Sequence, residues 1–152
     1  MAFRFRLEKV AQFRQKLVDE QGRRVAEANR AVVALQARIA AVDEDLSEHL
    51  KDFSDANDAV VSVQGMMART MWVSHLDEMR AEFSRGLQAA QAELAQQRTS
   101  LNEVWRDLEV LNKLREKQKA AWLADELKRE NQDLDEVGQI RADRQRRSKV
   151  AS

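Results

Sequence analysis

Seam positions recur along the first half of the chain at alternating steps of four and three: Ala28, Val32, Leu35, Ile39, Val42, Leu46, His49, Phe53, Ala56 and Val60. A sustained period of 3.5 residues is the heptad of a left-handed supercoil, from which a straight isolated helix would drift. Upstream, Phe3, Leu7, Val10 and Leu17 carry the same kind of stripe, and the steps from Leu17 through Gln21 to Val25 form a local stutter. A second stripe runs Trp72, Leu76, Met79, Phe83, Leu87, Ala90, Leu94, Gln97, Leu101, Val104, Leu108 and Leu111. It continues less regularly through Leu114, Trp122, Leu123, Leu127, Leu134, Val137 and Ile140. The pattern predicts two long amphipathic helices, about 3–60 and about 70–143, with a frayed basic tail over 144–152.

One break separates the stripes, and it predicts a turn over about 61–69. Ser54 to Asp58 weakens helix propensity, three β-branched valines crowd Ser62, and Gly65 permits the backbone to reverse. Thr70 and Ser74 are candidate N-caps for the second helix, Ser74 with Asp77 three residues on. Folding the chain about residues 64 and 65 pairs positions whose numbers sum to about 129, such as Leu46 with Phe83 and Leu35 with Leu94. Heptads are degenerate, so this sum locates the hinge better than it fixes the register. Arms of roughly 55 residues at 1.5 Å per residue give a rod of about 80 Å, and residues 127–152 overhang it. The expected fold is all-α: one long antiparallel two-helix coiled-coil hairpin over 1–152, with a helical C-terminal overhang.

Composition strengthens this reading. The 152 residues include no proline, cysteine or tyrosine and only four glycines. Without cysteine there is no disulfide framework, cysteine metal site or thiol catalysis. Lysine and arginine number 26, as do aspartate and glutamate, but they are unevenly placed. Residues 4–16 are basic, residues 43–58 are acidic, and the tail from Arg141 to Lys149 is basic again. A balanced, polarised chain does not suggest a nucleic-acid partner. No apolar run approaches the ~18 residues of a membrane helix, and the start lacks a signal peptide's apolar region, so a soluble cytoplasmic protein is expected. Gly22, Gly86 and Gly138 fall inside the periodic segments, each costing about 1 kcal/mol relative to alanine unless packing offsets it.

Candidate chemistry is sparse. His49 and His75 have no ligand spacing around them: there is no Glu-x-x-His, no His-Glu-x-x-His, no glycine-rich phosphate loop and no Gly-x-Ser-x-Gly. Asp135 and Glu136 are adjacent, so on a helix they face different directions and cannot form a carboxylate dyad. No catalytic, cofactor or metal site is expected. What remains is surface: Met66, Met67 and Met71 near the hinge suit an adaptable contact. The overhang's Leu127, Leu134, Val137 and Ile140 would face water unless another protein received them.

The ends of the chain carry a more specific signal. Phe3-Arg4-Phe5-Arg6-Leu7-Glu8-Lys9-Val10, followed by Phe13-Arg14, resembles the opening of the flagellar export protein FliJ family. Leu108 to Lys117, then Glu126 with Lys128, Glu130 with Asn131 and Leu134-Asp135-Glu136, is similar to that family's C-terminal signature. The resemblance implies an antiparallel coiled coil similar to the central shaft of rotary ATP synthases. It implies a non-catalytic stalk and chaperone escort of flagellar type III protein export, at the cytoplasmic face of the inner membrane and membrane-associated only through partners. Those partners are the hexameric flagellar export ATPase, the cytoplasmic domain of the export-gate membrane protein, and export chaperones. The implied gate-side residues are Leu46, Leu50, Phe53, Leu76, Met79 and Phe83; the implied ATPase-ring residues are Leu134, Asp135, Glu136, Arg141 and Arg144. A virulence-injectisome counterpart, or a coiled-coil linker unrelated to secretion, fits the same periodicity.

Overall fold

The computed structural model describes residues 2–55 and 62–151, with side chains described up to Asp52 and again from Ser62. Two helices account for nearly all of it: α1, Glu8–Asp55, and α2, Val63–Val150. No strand occurs among the described residues. The helices pack against each other, and the contacts divide into two compact units. Unit one comprises Met1–Gln15 and Arg106–Ser152; unit two is Lys16–Trp105.

Within unit two the expected heptad is what packs. Val25, Ala28, Val32, Leu35, Ile39, Val42, Leu46 and His49 are all covered, and every α1 residue between them is exposed. Opposite them lie Val73, Leu76, Met79, Phe83, Leu87, Ala90, Leu94, Gln97 and Leu101. Trp72, expected on this stripe, is instead 45% exposed, because the covered path enters through Arg69 and Val73. The stutter is also real: Leu17, Gln21 and Val25 are covered at steps of four. Gln21 is buried and satisfied across the seam, its amide nitrogen donating to Gln97 Oε1 at 2.6 Å and to the Gln97 carbonyl at 3.1 Å. Gln97 in turn donates to Glu93 Oε1 at 2.7 Å.

The register differs from the expectation. Leu35 lies over Gly86, the Arg38 guanidinium stacks on Phe83 at 5.8 Å, and Arg80 Nε donates to Asp43 Oδ1 at 2.6 Å. These partner numbers sum to 121–123 rather than about 129, a slip of about one heptad. The cause is the start of α2. Ser62 is its N-cap: Gly65 N donates to Ser62 Oγ at 3.1 Å, and Met66 N donates to the Ser62 carbonyl at 3.0 Å. Gly65 therefore sits in the first helical turn, with no positive φ, and residues 63–69 are helix where a turn was expected. Thr70 is a helix-interior residue, its hydroxyl donating to the Met66 carbonyl at 2.9 Å, and Ser74 is interior too. Residues 56–61, including Ala56, Asn57, Asp58 and Val60, lie outside the described residues.

Unit one starts before its helix does. Residues 2–5 belong to no regular element, and α1 begins at Glu8 rather than near residue 3, with Glu8 N donating to the Phe5 carbonyl at 3.2 Å. An acid in the first turn of α1 and Arg147 and Lys149 in the last turn of α2 both suit the helix dipole. Here the covered positions are Leu7, in the turn just before α1, and Ala11 and Arg14 on it, while Val10 and Phe13 are exposed. They face Val104's successors on α2, Leu108, Leu111 and Arg115. From Leu127 to Ala151 every residue is exposed, where the overhang was expected.

Three measurements test this packing. Val42→Cys with Met79→Cys should cross-link on mild oxidation faster than Leu46→Cys with Phe83→Cys; the reverse order would restore the one-heptad-shifted register. Gln21→Ala should cost about 1–2 kcal/mol in denaturant unfolding, because it leaves Gln97 Oε1 at the seam without its donor. Gly22→Ala should stabilise by about 0.5–1 kcal/mol, since a methyl group there meets nothing within 4 Å and removes a helix-interior glycine.

Candidate functional site

No group of three or more histidine, cysteine, aspartate or glutamate side chains among the described residues could hold a metal ion. No described helix is long and apolar enough to cross a membrane. What the units do offer is exposed apolar and charged surface, and the structure sorts the expected docking residues sharply.

In unit two, four of the six gate-side residues belong to the seam. Leu76 is 2% exposed, Leu46, Met79 and Phe83 are half-buried, and Arg38 covers the Phe83 ring. A hydrophobic stripe chosen by periodicity is the stripe the neighbouring helix occupies, so these side chains position the surface without forming it. Leu50 is on the surface, at 65% exposed. The Phe53 side chain lies outside the described residues. Beside Leu50 sits a cavity of about 220 Å³ lined by His49, Leu50, Arg69, Thr70 and Val73. Arg69 Nη1 is shut off from solvent there and has no hydrogen-bond partner among the described residues.

Around this cavity the α2 start is studded with apolar side chains. Val63, Met66, Met67, Met71 and Trp72 are all exposed. The Trp72 ring lies 6.1 Å from His49, edge-on, and 5.6 Å from His75. Methionines and a half-exposed tryptophan make an adaptable, high-area contact surface. The same stretch of α1 presents Asp43, Glu44, Asp45, Glu48 and Asp52 to solvent with only Lys51 among them. Asp43 is engaged by Arg80, and its hydrogen bond and charge raise the Arg80 guanidinium above its ordinary value. A raised cationic group loses its contribution only as pH climbs through that raised value, so the Arg80 guanidinium stays charged across the neutral range.

Sequence reasoning missed a second feature of unit two. Val18, Asp19, Gly22, Arg23 and Ala26 of α1 and Leu101, Asn102 and Trp105 of α2 line an open groove of about 760 Å³. Trp105 stands 52% exposed at its edge. The signal was legible: a small residue at 22 and another at 26 share a helix face, and Trp105 falls off the heptad.

In unit one the residues expected on the ring side are open to solvent. Leu134, Asp135, Glu136, Arg141 and Arg144 are all exposed on the last part of α2, with Leu127, Val137 and Ile140 also open to solvent. The chain's start is anchored on an earlier part of α2 in the same unit. Phe3 packs against Trp122 at 6.0 Å, and Phe5 is buried under the Arg115 guanidinium at 5.3 Å. Arg115 also donates to Glu8 Oε2 at 2.7 Å, and Arg14 pairs with Asp107 at 3.4 Å. The two terminal sequence signatures thus meet: Phe3, Phe5 and Glu8 from the first lie on Arg115 and Trp122, within the span of the second.

These contacts unite the segments that bear the family resemblance. Among curated proteins and among solved structures nothing matches the chain. A family model described as Flagellar FliJ protein matches residues 3–147. The chain belongs to the flagellar FliJ protein family.

Proposed function

We propose that this flagellar, export-related chain is a non-catalytic stalk that inserts into the hexameric export ATPase and couples it to the export gate, escorting export chaperones as it does so. The observation that carries the reading is the end of α2: a stretch from Leu127 onward that is helical, apolar on part of its surface, highly charged and wholly exposed. A helix that buries nothing against its own chain gains its packing from a partner. In this reading Leu134, Asp135, Glu136, Arg141 and Arg144 engage the ATPase ring, held in place by the Phe5–Arg115–Glu8 cluster of the same unit.

The gate-side contact is proposed for the exposed residues of unit two, Leu50, Met66, Met67, Met71 and Trp72, around the cavity that holds Arg69. The seam residues Leu46, Leu76, Met79 and Phe83 act there as support. The groove beside Trp105 is the surface proposed for a chaperone, on the strength of its exposed tryptophan. The chain performs no chemistry of its own in this scheme and works at the cytoplasmic face of the flagellar base, reaching the membrane through its partners.

Purified flagellar export ATPase provides the direct test. The wild-type chain should raise its hydrolysis rate and favour the hexamer; absence of any effect at saturating concentration sinks the stalk reading. Leu134→Asp together with Arg144→Glu should weaken this stimulation about tenfold while leaving the helical content unchanged. Met71→Ala with Trp72→Ala should instead reduce binding to the gate's cytoplasmic domain and leave the ATPase effect intact.

A further inference from the structure

The exposed end of α2 has an internal order that docking to a different protein does not require. Residues 125–136 carry the acids Asp125, Glu126, Glu130, Asp133, Asp135 and Glu136 against Lys128 and Arg129. Residues 141–149 carry Arg141, Arg144, Arg146, Arg147 and Lys149 against Asp143. Of the acids, Glu126 already holds Arg129 at 3.5 Å. Between the two blocks sits Gly138, with nothing within 4 Å of the place a Cβ would take, flanked by Val137 and Ile140. The apolar positions Leu127, Leu134, Val137 and Ile140 are distributed on both sides of the block boundary.

We propose that this segment binds a second copy of itself, antiparallel, about a two-fold axis near Gly138. A two-fold interface must be self-complementary: each feature on one side of the axis meets its complement from the other side. Reversal about Gly138 brings the acidic block of one chain against the basic block of the other, twice, and sets Val137 and Ile140 against their counterparts at the axis. Parallel pairing would stack acid on acid and base on base, which disfavours it. Glycine at the axis lets the two helices approach closely. The dimer stands on this charge order and apolar face alone and does not depend on the stalk reading. If both hold, the dimer covers the ring-binding residues, and the chain must open it before docking.

The full-length chain, 17.5 kDa as a monomer, tests this by sedimentation equilibrium. A concentration-dependent dimer is expected at about 50 mM salt, weakening about tenfold by about 500 mM as the charges are screened. Orientation is read by single cysteines in this cysteine-free chain. Gly138→Cys should form a disulfide-linked dimer readily, whereas Leu127→Cys should not pair with itself, since the two would stand about 33 Å apart in the antiparallel arrangement. Arg141→Glu with Arg144→Glu and Arg147→Glu should be monomeric, and should recover dimerisation when mixed with Glu130→Lys, Asp133→Lys, Glu136→Lys chains. A monomer at every salt concentration overturns the proposal, as does Leu127→Cys cross-linking as fast as Gly138→Cys. A monomeric chain that still stimulates the ATPase would sink the dimer and leave the stalk reading standing; a dimer without stimulation would do the opposite.

Discussion

One constraint governs each unit: a helix pair has only one seam in which to hide apolar surface. A two-stranded seam covers a side chain from one direction, and among the described residues none is fully buried. Even the core positions Val32, Val42, Leu94 and Leu108 keep 5–7% of their surface in contact with water. Stabilisation per residue therefore falls short of the ~1.5–3 kcal/mol of a fully enclosed side chain, and it must be accumulated over many heptads. This explains why proline is excluded from the chain and why the stripe in α1 runs from Val25 to His49 without a covered residue off the pattern. A single interruption would forfeit the few contacts that each turn supplies.

A seam of repeating heptads has a second consequence, which is that it specifies register weakly. Leu, Val and Ala at equivalent positions pack nearly as well after a shift of seven residues. What separates the alternatives is the set of contacts that a shift would destroy. Gln21 and Gln97 satisfy each other in the seam, and moving either by a heptad would leave a carboxamide buried without its partner. Asp43 with Arg80 and Leu35 over Gly86 select the same alignment within unit two. In unit one, Phe3 on Trp122 and the Glu8–Arg115–Phe5 cluster perform that task. Polar and aromatic exceptions fix what the repeating apolar positions leave degenerate.

The division between legible and illegible features follows from this. Periodicity revealed the helices, the seam from Val25 to His49, the stutter at Gln21 and the exposed stretch beyond residue 126, because each is a property of one helix and its repeat. Register was not legible, because it depends on where α2 starts. Ser62 as N-cap, with Gly65 in the first helical turn, moves that start ahead of the position that Gly65 as a turn residue and Thr70 as a cap suggested. Exposure was half legible. Leu134, Asp135 and Glu136 are exposed because no α1 residue reaches them, whereas Leu76 and Met79 looked like contact residues and turned out to be seam. Exposed apolar side chains that break the heptad, Trp72 and Trp105 above all, are the better guide to surface in such a chain.

The last part of α2 lacks the constraint that holds everything before it. Isolated helices are marginal in water, and most helical stability in proteins comes from packing. From Leu127 on there is none from the same chain, and the local contributions are modest: an exposed Glu126–Arg129 pair, good helix formers, and basic residues at the C-terminal end of the dipole. At the same time Leu127, Leu134, Val137 and Ile140 are too many apolar side chains for a segment evolved only to be solvated. Both observations are reconciled if the segment's stability is supplied by whatever covers it. The order of its charges then matters as much as its apolar face. A surface that is acidic first and basic afterwards discriminates between orientations of its partner, which an apolar stripe alone cannot do.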